Sequence, residues 1–212
     1  MNTWTVPRNA TALPAARPRE DREPIRFPGA RAIASRGRAD VRTAVIVFAD
    51  IVGSTALMEN MGDRAFYARS IELETRLRAA IRDNGGEPVE GRLLGDGVLA
   101  VFESAKDAIL GSLDCAAAGQ EMGLPLHVGI HAGDVIRDHR TIYGGAVCIA
   151  ARVSEKCPPG EVLASETVRG LSRTSTEVEF IDRGEHALKG VSEPLKLWSI
   201  CGDGIPAGGF QE

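Results

Sequence analysis

The sequence predicts an α+β fold of the ferredoxin-like type, an antiparallel sheet with helices packed on it, and three observations lead there. The run TAVIVFA at 43–49 is apolar, rich in β-branched residues and of strand length, and it feeds a stretch, 54–84, that carries Phe66, Leu73, Leu77, Ala80 and Ile81 at helical spacing. The segments EPVEGRLL and GVLAVF flank the turn residues GDG, which reads as a hairpin. With the helix and strand expected after the hairpin, the order is βα, then ββ, then αβ, the order of a ferredoxin-like core with helices on one face of an antiparallel sheet.

Residues 1–40 come first and are rich in Arg, Pro and Ala, with neither a helical nor a strand period, so a disordered tail is expected there. The folded domain is expected over 41–201, with a short C-terminal tail at 202–212. The strand from Thr43 leads into the helix at 54–84, which Gly85 and Gly86 stop. After the hairpin, a helix is expected over about 105–122 and a strand at LHVGIHAGDVI. Residues 144–156 read as a further helix, ended by Pro158 and Pro159, and short strands are expected near 162, 178 and 195.

Composition limits what the domain does. At 212 residues and 43% hydrophobic, the chain can bury one substantial core. Residues 1–42 hold nine Arg against four acidic residues, net +5, so the net charge of −4 leaves −9 on the remainder. An acidic body argues against nucleic-acid binding by the domain. The four cysteines, Cys115, Cys148, Cys157 and Cys201, show no CxxC or zinc-ligand spacing and are expected to stay reduced. No apolar run approaches a membrane span and the N-terminus lacks a secretory apolar core, so a cytoplasmic protein is expected.

The chemistry concentrates in FADIVGST at 48–55 and LLGDGVLAVF at 93–102, which set Asp50 and Asp96 each at the end of a strand-like run. Gly53 and Ser54, followed by Thr55, open a helix whose free N–H groups can face a phosphate. Gly95 and Gly97 flank Asp96 in a tight turn. Two hard carboxylates from adjacent strands suit Mg²⁺ or Mn²⁺ shared with a triphosphate. The bland alternative is that Asp50 caps a helix and Asp96 makes a turn. The histidines complete no zinc pattern: His127 and His131 share a strand face, His139 and His186 fall in expected loops, and packing roles are expected for them. The sequence lacks GxSxG, GxxxxGK[ST] and GxGxxG, so serine-hydrolase, P-loop and Rossmann chemistry lack their first requirement.

Further along, IYGGAVCIAARVSEKCPPGEVLAS at 142–165 and FIDRGEHALKGVSEPLKLWSI at 180–200 complete a set of four motifs. In their order and spacing they resemble the catalytic domain of class III adenylate/guanylate cyclases, over roughly residues 43–200. The resemblance implies the palm-type cyclase fold and a soluble homodimer whose active sites lie between subunits. It implies ATP conversion to 3′,5′-cyclic AMP and pyrophosphate with Mg²⁺ or Mn²⁺, two per active site, with GTP not excluded. By the same resemblance Asp50, Asp96 and the Ile51 carbonyl hold metal, and Arg152 stabilises phosphate charge in the transition state. Lys189 in LKG approaches the phosphates or is simply solvated. Arg92 and Thr141 fall at the base-selecting positions. Arg92 is neither the Lys of most adenylate cyclases nor the Glu of guanylate cyclases, and an Arg can donate to adenine N1 or guanine O6. Glu90, on the same strand face, would take part in recognition or pair with Arg92. Cys148 stands where the family carries Asn, and a thiol is a weak substitute for an amide. The alternative is therefore a catalytically weak or silent homologue that acts as a nucleotide-binding or partner-binding regulator.

Overall fold

Strand β1 (Asp40–Ile51) is buried on both faces for most of its length, and the rest of the sheet is arranged about it. The computed structural model describes residues 40–89, 97–138 and 141–202. All of them belong to the second of the two units into which the chain divides, Ala39–Glu212. The expected 1–40 tail, apart from Asp40 at the start of β1, and nearly all of the C-terminal tail lie outside the described residues.

β1 pairs antiparallel on one side with β3 (Val98–Phe102) and on the other with β4 (Leu126–Asp138). The full order is β2 (Glu87–Pro88), β3, β1, β4, β6 (Val162–Ser165), β8 (Leu195–Cys201), β7 (Glu179–His186), with β5 (Thr141–Tyr143) folded back on β4. One junction departs from the antiparallel expectation: β4 and β6 run parallel, because α4 (Gly145–Ser154) carries the chain between them as a crossover.

The alternation of β1 sorts the helices. Val45, Val47, Ala49 and Ile51 face α2 (Asp63–Asp83) and α3 (Ala105–Glu121), whose Phe66, Leu73, Leu77, Ile81 and Ile109 close the larger core. Ala44, Ile46 and Phe48 point the other way, onto Ala146 and Ala150 of α4. Helices thus cover both faces rather than one, as the apolar residues on both sides of TAVIVFA require. Each fully buried Leu or Ile in these layers contributes about 1.5–3 kcal/mol relative to exposure.

The helical stretch 54–84 divides into α1 (Ser54–Met61) and α2 at Gly62, whose φ of 81° is a left-handed value that ends a helix without steric cost. α5 (Glu166–Ser172) and β5 are too short to have shown a period in the sequence. α4 lies very close to the sheet. A Cβ at Gly129 of β4 would sit 2.2 Å from Ser154 N and 2.6 Å from the Ala150 carbonyl oxygen, so only glycine fits under the helix.

Candidate active site

Two clusters of expected site residues are described, one at the exit of β1 and one on the outer side of α4. At the first, the strand pairs through Ile51↔Leu126 and then turns, with Val52 N–H donating to the Pro125 carbonyl at 2.9 Å. Ile51 is 4% exposed and its side chain belongs to the core, so its backbone alone is available to a ligand. Asp50, opposite His127 in the register, points to the α4 face of the sheet and is half-buried. Gly53 caps α1 in a left-handed conformation, φ 59°, and no side chain caps that helix. The bland reading of Asp50 as an N-cap is therefore replaced: the capping position belongs to Gly53, three residues on. Ser54 and Thr55 form the first turn, whose N–H groups are not consumed by a capping side chain.

Gly97 faces this turn from the start of β3. A Cβ there would stand 3.0 Å from the Ala49 carbonyl oxygen and 3.2 Å from Asp50 Oδ1, so a side chain at 97 would crowd the carboxylate. The requirement for glycine beside Asp96 thus has a cause in the neighbouring strand. Asp96 itself, with Glu90, Arg92 and Gly95, lies outside the described residues. Among the described residues no three of His, Cys, Asp and Glu come together as a metal cluster. The donors at the β1 exit are a carboxylate and a backbone carbonyl, hard oxygens that fit Mg²⁺ or Mn²⁺ rather than a thiophilic metal.

The second cluster rests on α4. Ala146, Ala150 and Val153 face inward, whereas Cys148 is exposed and Arg152, one turn on, is half-buried. The two therefore share one outward face. Arg152 Nη1 donates to Glu155 Oε1 and lines a cleft of about 340 Å³ together with Glu155, Lys156, Ala187, Leu188 and Lys189. The fold thus brings Arg152 and Lys189 together across 37 residues of sequence, while Asp50 is not among the cleft's lining residues. Thr141 opens β5, half-buried and three residues before Gly144, the glycine that begins α4. Its expected partner in base selection, Arg92, falls outside the described residues.

The histidines have structural partners. His127 Nδ1–H donates to the Cys157 carbonyl at 2.5 Å, His186 Nε2–H donates to the Arg183 carbonyl at 2.9 Å, and His131 Nδ1 bonds the Ser165 hydroxyl at 2.9 Å. Burial lowers the pKa of His131 below its ordinary value and so favours the neutral ring. His139 is outside the described residues. The four cysteines are free, and burial pushes the thiols of Cys115 and Cys157 up to about 12. Sequence reasoning missed Glu155 and Lys156, although both were signalled by their spacing, three and four residues after Arg152 on one helix.

The domain therefore combines a strand-exit aspartate facing a glycine of the adjacent strand with an arginine and a lysine that meet in a cleft beside α4, the helix on the same face of the sheet as that aspartate. The family described as the adenylate and guanylate cyclase catalytic domain matches residues 38–202, and the chain belongs to it. A Rhizobium meliloti (strain 1021) protein provisionally named adenylate cyclase 3 is 30% identical over 173 residues, 74% of this chain and 28% of that protein. The chain thus spans little more than a quarter of that relative's length. Among solved structures, an adenylate/guanylate cyclase/hydrolase from Silicibacter pomeroyi superposes with a TM-score of 0.69 at 27% identity, over 78% of this chain and 100% of that one. The adenylyl cyclase CyaB from P. aeruginosa superposes at 0.68 with 22% identity, over 78% and 96%, a likeness of fold.

Proposed function

We propose that this domain is a nucleotidyl cyclase that converts ATP to 3′,5′-cyclic AMP and pyrophosphate at sites shared between two copies of the chain. The observation that carries the reading is the β1 exit, where Asp50 precedes a helix whose N-cap is a glycine without a capping side chain and faces Gly97. Asp50, Asp96 and the Ile51 carbonyl would hold Mg²⁺ or Mn²⁺, two per site. Bound metal would acidify the ribose 3′ hydroxyl and neutralise the triphosphate. In the reaction the 3′ oxygen forms a bond to the α-phosphorus, its proton leaves, and the bond to the β-phosphate oxygen breaks to release pyrophosphate.

The chain's own groups supply the rest. The first-turn N–H groups at Ser54 and Thr55, behind Gly53, offer donors to phosphate oxygens. Arg152 and Lys189 stabilise charge on the transferring and leaving phosphates, the guanidinium through its fixed fork of donors. Arg92 and Thr141 select the base, with ATP favoured over GTP. The exposed position of Cys148 supports a second reading, a slow or silent regulator that binds nucleotide or a partner cyclase, because the thiol offers little hydrogen bonding beside Arg152.

Incubating purified protein with Mn²⁺ and ATP or GTP, and separating the products by chromatography, tests the proposal. Cyclic AMP with pyrophosphate is expected. Nucleotide binding without a cyclic product from either substrate would move the assignment to the regulator.

A further inference from the structure

The cleft on the outer side of α4 has an unequal charge arrangement. Three cations line it, Arg152, Lys156 and Lys189, against a single carboxylate, Glu155. That carboxylate pairs with the arginine, and among the described residues neither lysine of the cleft has an ion-pair partner. Glu155 is also placed against local electrostatics. It is the C-cap residue of α4, next to the negative end of the helix dipole, where a cation is favoured and a carboxylate is not. The pair is solvent-accessible, with side chains 35% and 56% exposed, so helix stability does not account for the acid at this position. A residue that conflicts with its local setting while touching a site residue points to a role in that site.

We propose that Glu155 is a positioning residue that competes with phosphate for Arg152. Its carboxylate holds the guanidinium fork at the mouth of the cleft and takes one of the donor directions that a phosphate oxygen would use. An incoming polyphosphate displaces Glu155 from Arg152, and the released carboxylate, already more than half exposed, turns to solvent. Product pyrophosphate leaves faster because the internal anion re-pairs with Arg152 behind it. The cleft therefore binds polyphosphate more weakly than its three cations alone would allow. This inference rests on the phosphate role proposed for Arg152.

The test is a double-mutant cycle read by calorimetry with inorganic pyrophosphate and Mn²⁺, so that the readout does not depend on turnover. Glu155→Gln is expected to tighten pyrophosphate binding about two- to fivefold, the range of an exposed ion pair. It should also lower KM for ATP and slow product release, with no loss of melting temperature. Arg152→Ala is expected to weaken pyrophosphate binding, and adding Glu155→Gln in that background should then change the affinity by much less than it does alone. Glu155→Asp, which keeps the charge, should stay near the parent value. An equal gain from Glu155→Gln with and without Arg152 would overturn the competition, leaving only a general charge effect. Unchanged binding in Glu155→Gln, with Arg152→Ala weakened, would overturn it while the phosphate role of Arg152 stands. Unchanged binding in Arg152→Ala would remove both.

Discussion

At the exit of β1, Asp50 is paired with His127 of β4 and directly follows Ala49, which is paired on both sides, whereas Arg152 and Cys148 stand on the outward face of a helix held down by its inner side. The strand end places its carboxylate between Ala49, 2% exposed, and Ile51, 4% exposed, and has little freedom to adjust. The α4 face has a half-buried arginine with a neighbouring counter-ion and an exposed thiol, all of which can change without disturbing the core. The difference teaches where tolerance is to be expected: the metal-binding half of the proposed site is set by the fold, and the phosphate-binding half by surface chemistry on a rigid support.

The largest break in this comparison comes from Asp50→Ala. Removing a metal ligand is expected to cut Mn²⁺-dependent cyclisation by more than about 10³-fold, because several kcal/mol of transition-state stabilisation depend on it. Melting should shift by less than about 5 °C, since the carboxylate is half-buried and outside the apolar layers. Activity assays and melting of the same preparation check both halves of that statement.

Gly129→Ala attacks the support of the other half. The added methyl meets the backbone of α4 at 2.2 Å and 2.6 Å, and neither atom can move without lifting the helix. Destabilisation of about 3 kcal/mol is expected, at the upper end of overpacking costs, with melting lowered by roughly 6–12 °C. If melting is unchanged, α4 does not press on β4 at this glycine.

Cys148→Asn sharpens the comparison from the surface side. The thiol is exposed, so the amide buries nothing and melting should be unchanged. If turnover is limited by poor orientation beside Arg152, a restored donor and acceptor should raise kcat about tenfold, more than it alters KM. An unchanged kcat in a stable variant would favour the regulator reading.

The smallest effect is that of pH on stability. His131 is buried beside Ser165 and its folded pKa lies below the ordinary 6.5, so the unfolded chain takes up the proton first as pH falls. Its contribution to stability is complete above 6.5 and is lost progressively as pH falls from there through the lower folded pKa. His131→Gln should flatten that part of a melting-against-pH curve.

Much of the fold was legible in the sequence because the signals were local. TAVIVFA and the spacing of Phe66, Leu73, Leu77 and Ile81 each carry a period that a short window reveals. The parallel β4–β6 pairing and the placement of α4 on the opposite face were not legible, because they depend on which strand the chain meets after its crossover. For the site, the β1 exit followed from strand and helix rules alone. The meeting of Arg152 with Lys189 could only come from the fold, and the pairing of Glu155 with Arg152 was hidden because two residues at helical spacing do not announce which neighbours they choose.

In the proposed site, a rigid metal half and a surface phosphate half, supplied by different chains, make one active site. Mixing Asp50→Ala protein with Arg152→Ala protein, each inactive alone, tests it most directly. Random exchange makes half of the dimers mixed, each with one intact site and one doubly damaged site, so recovery to roughly a quarter of parental cyclisation is expected. No recovery, with subunit exchange demonstrated by labelled chains, would contradict the account and place both halves in one chain.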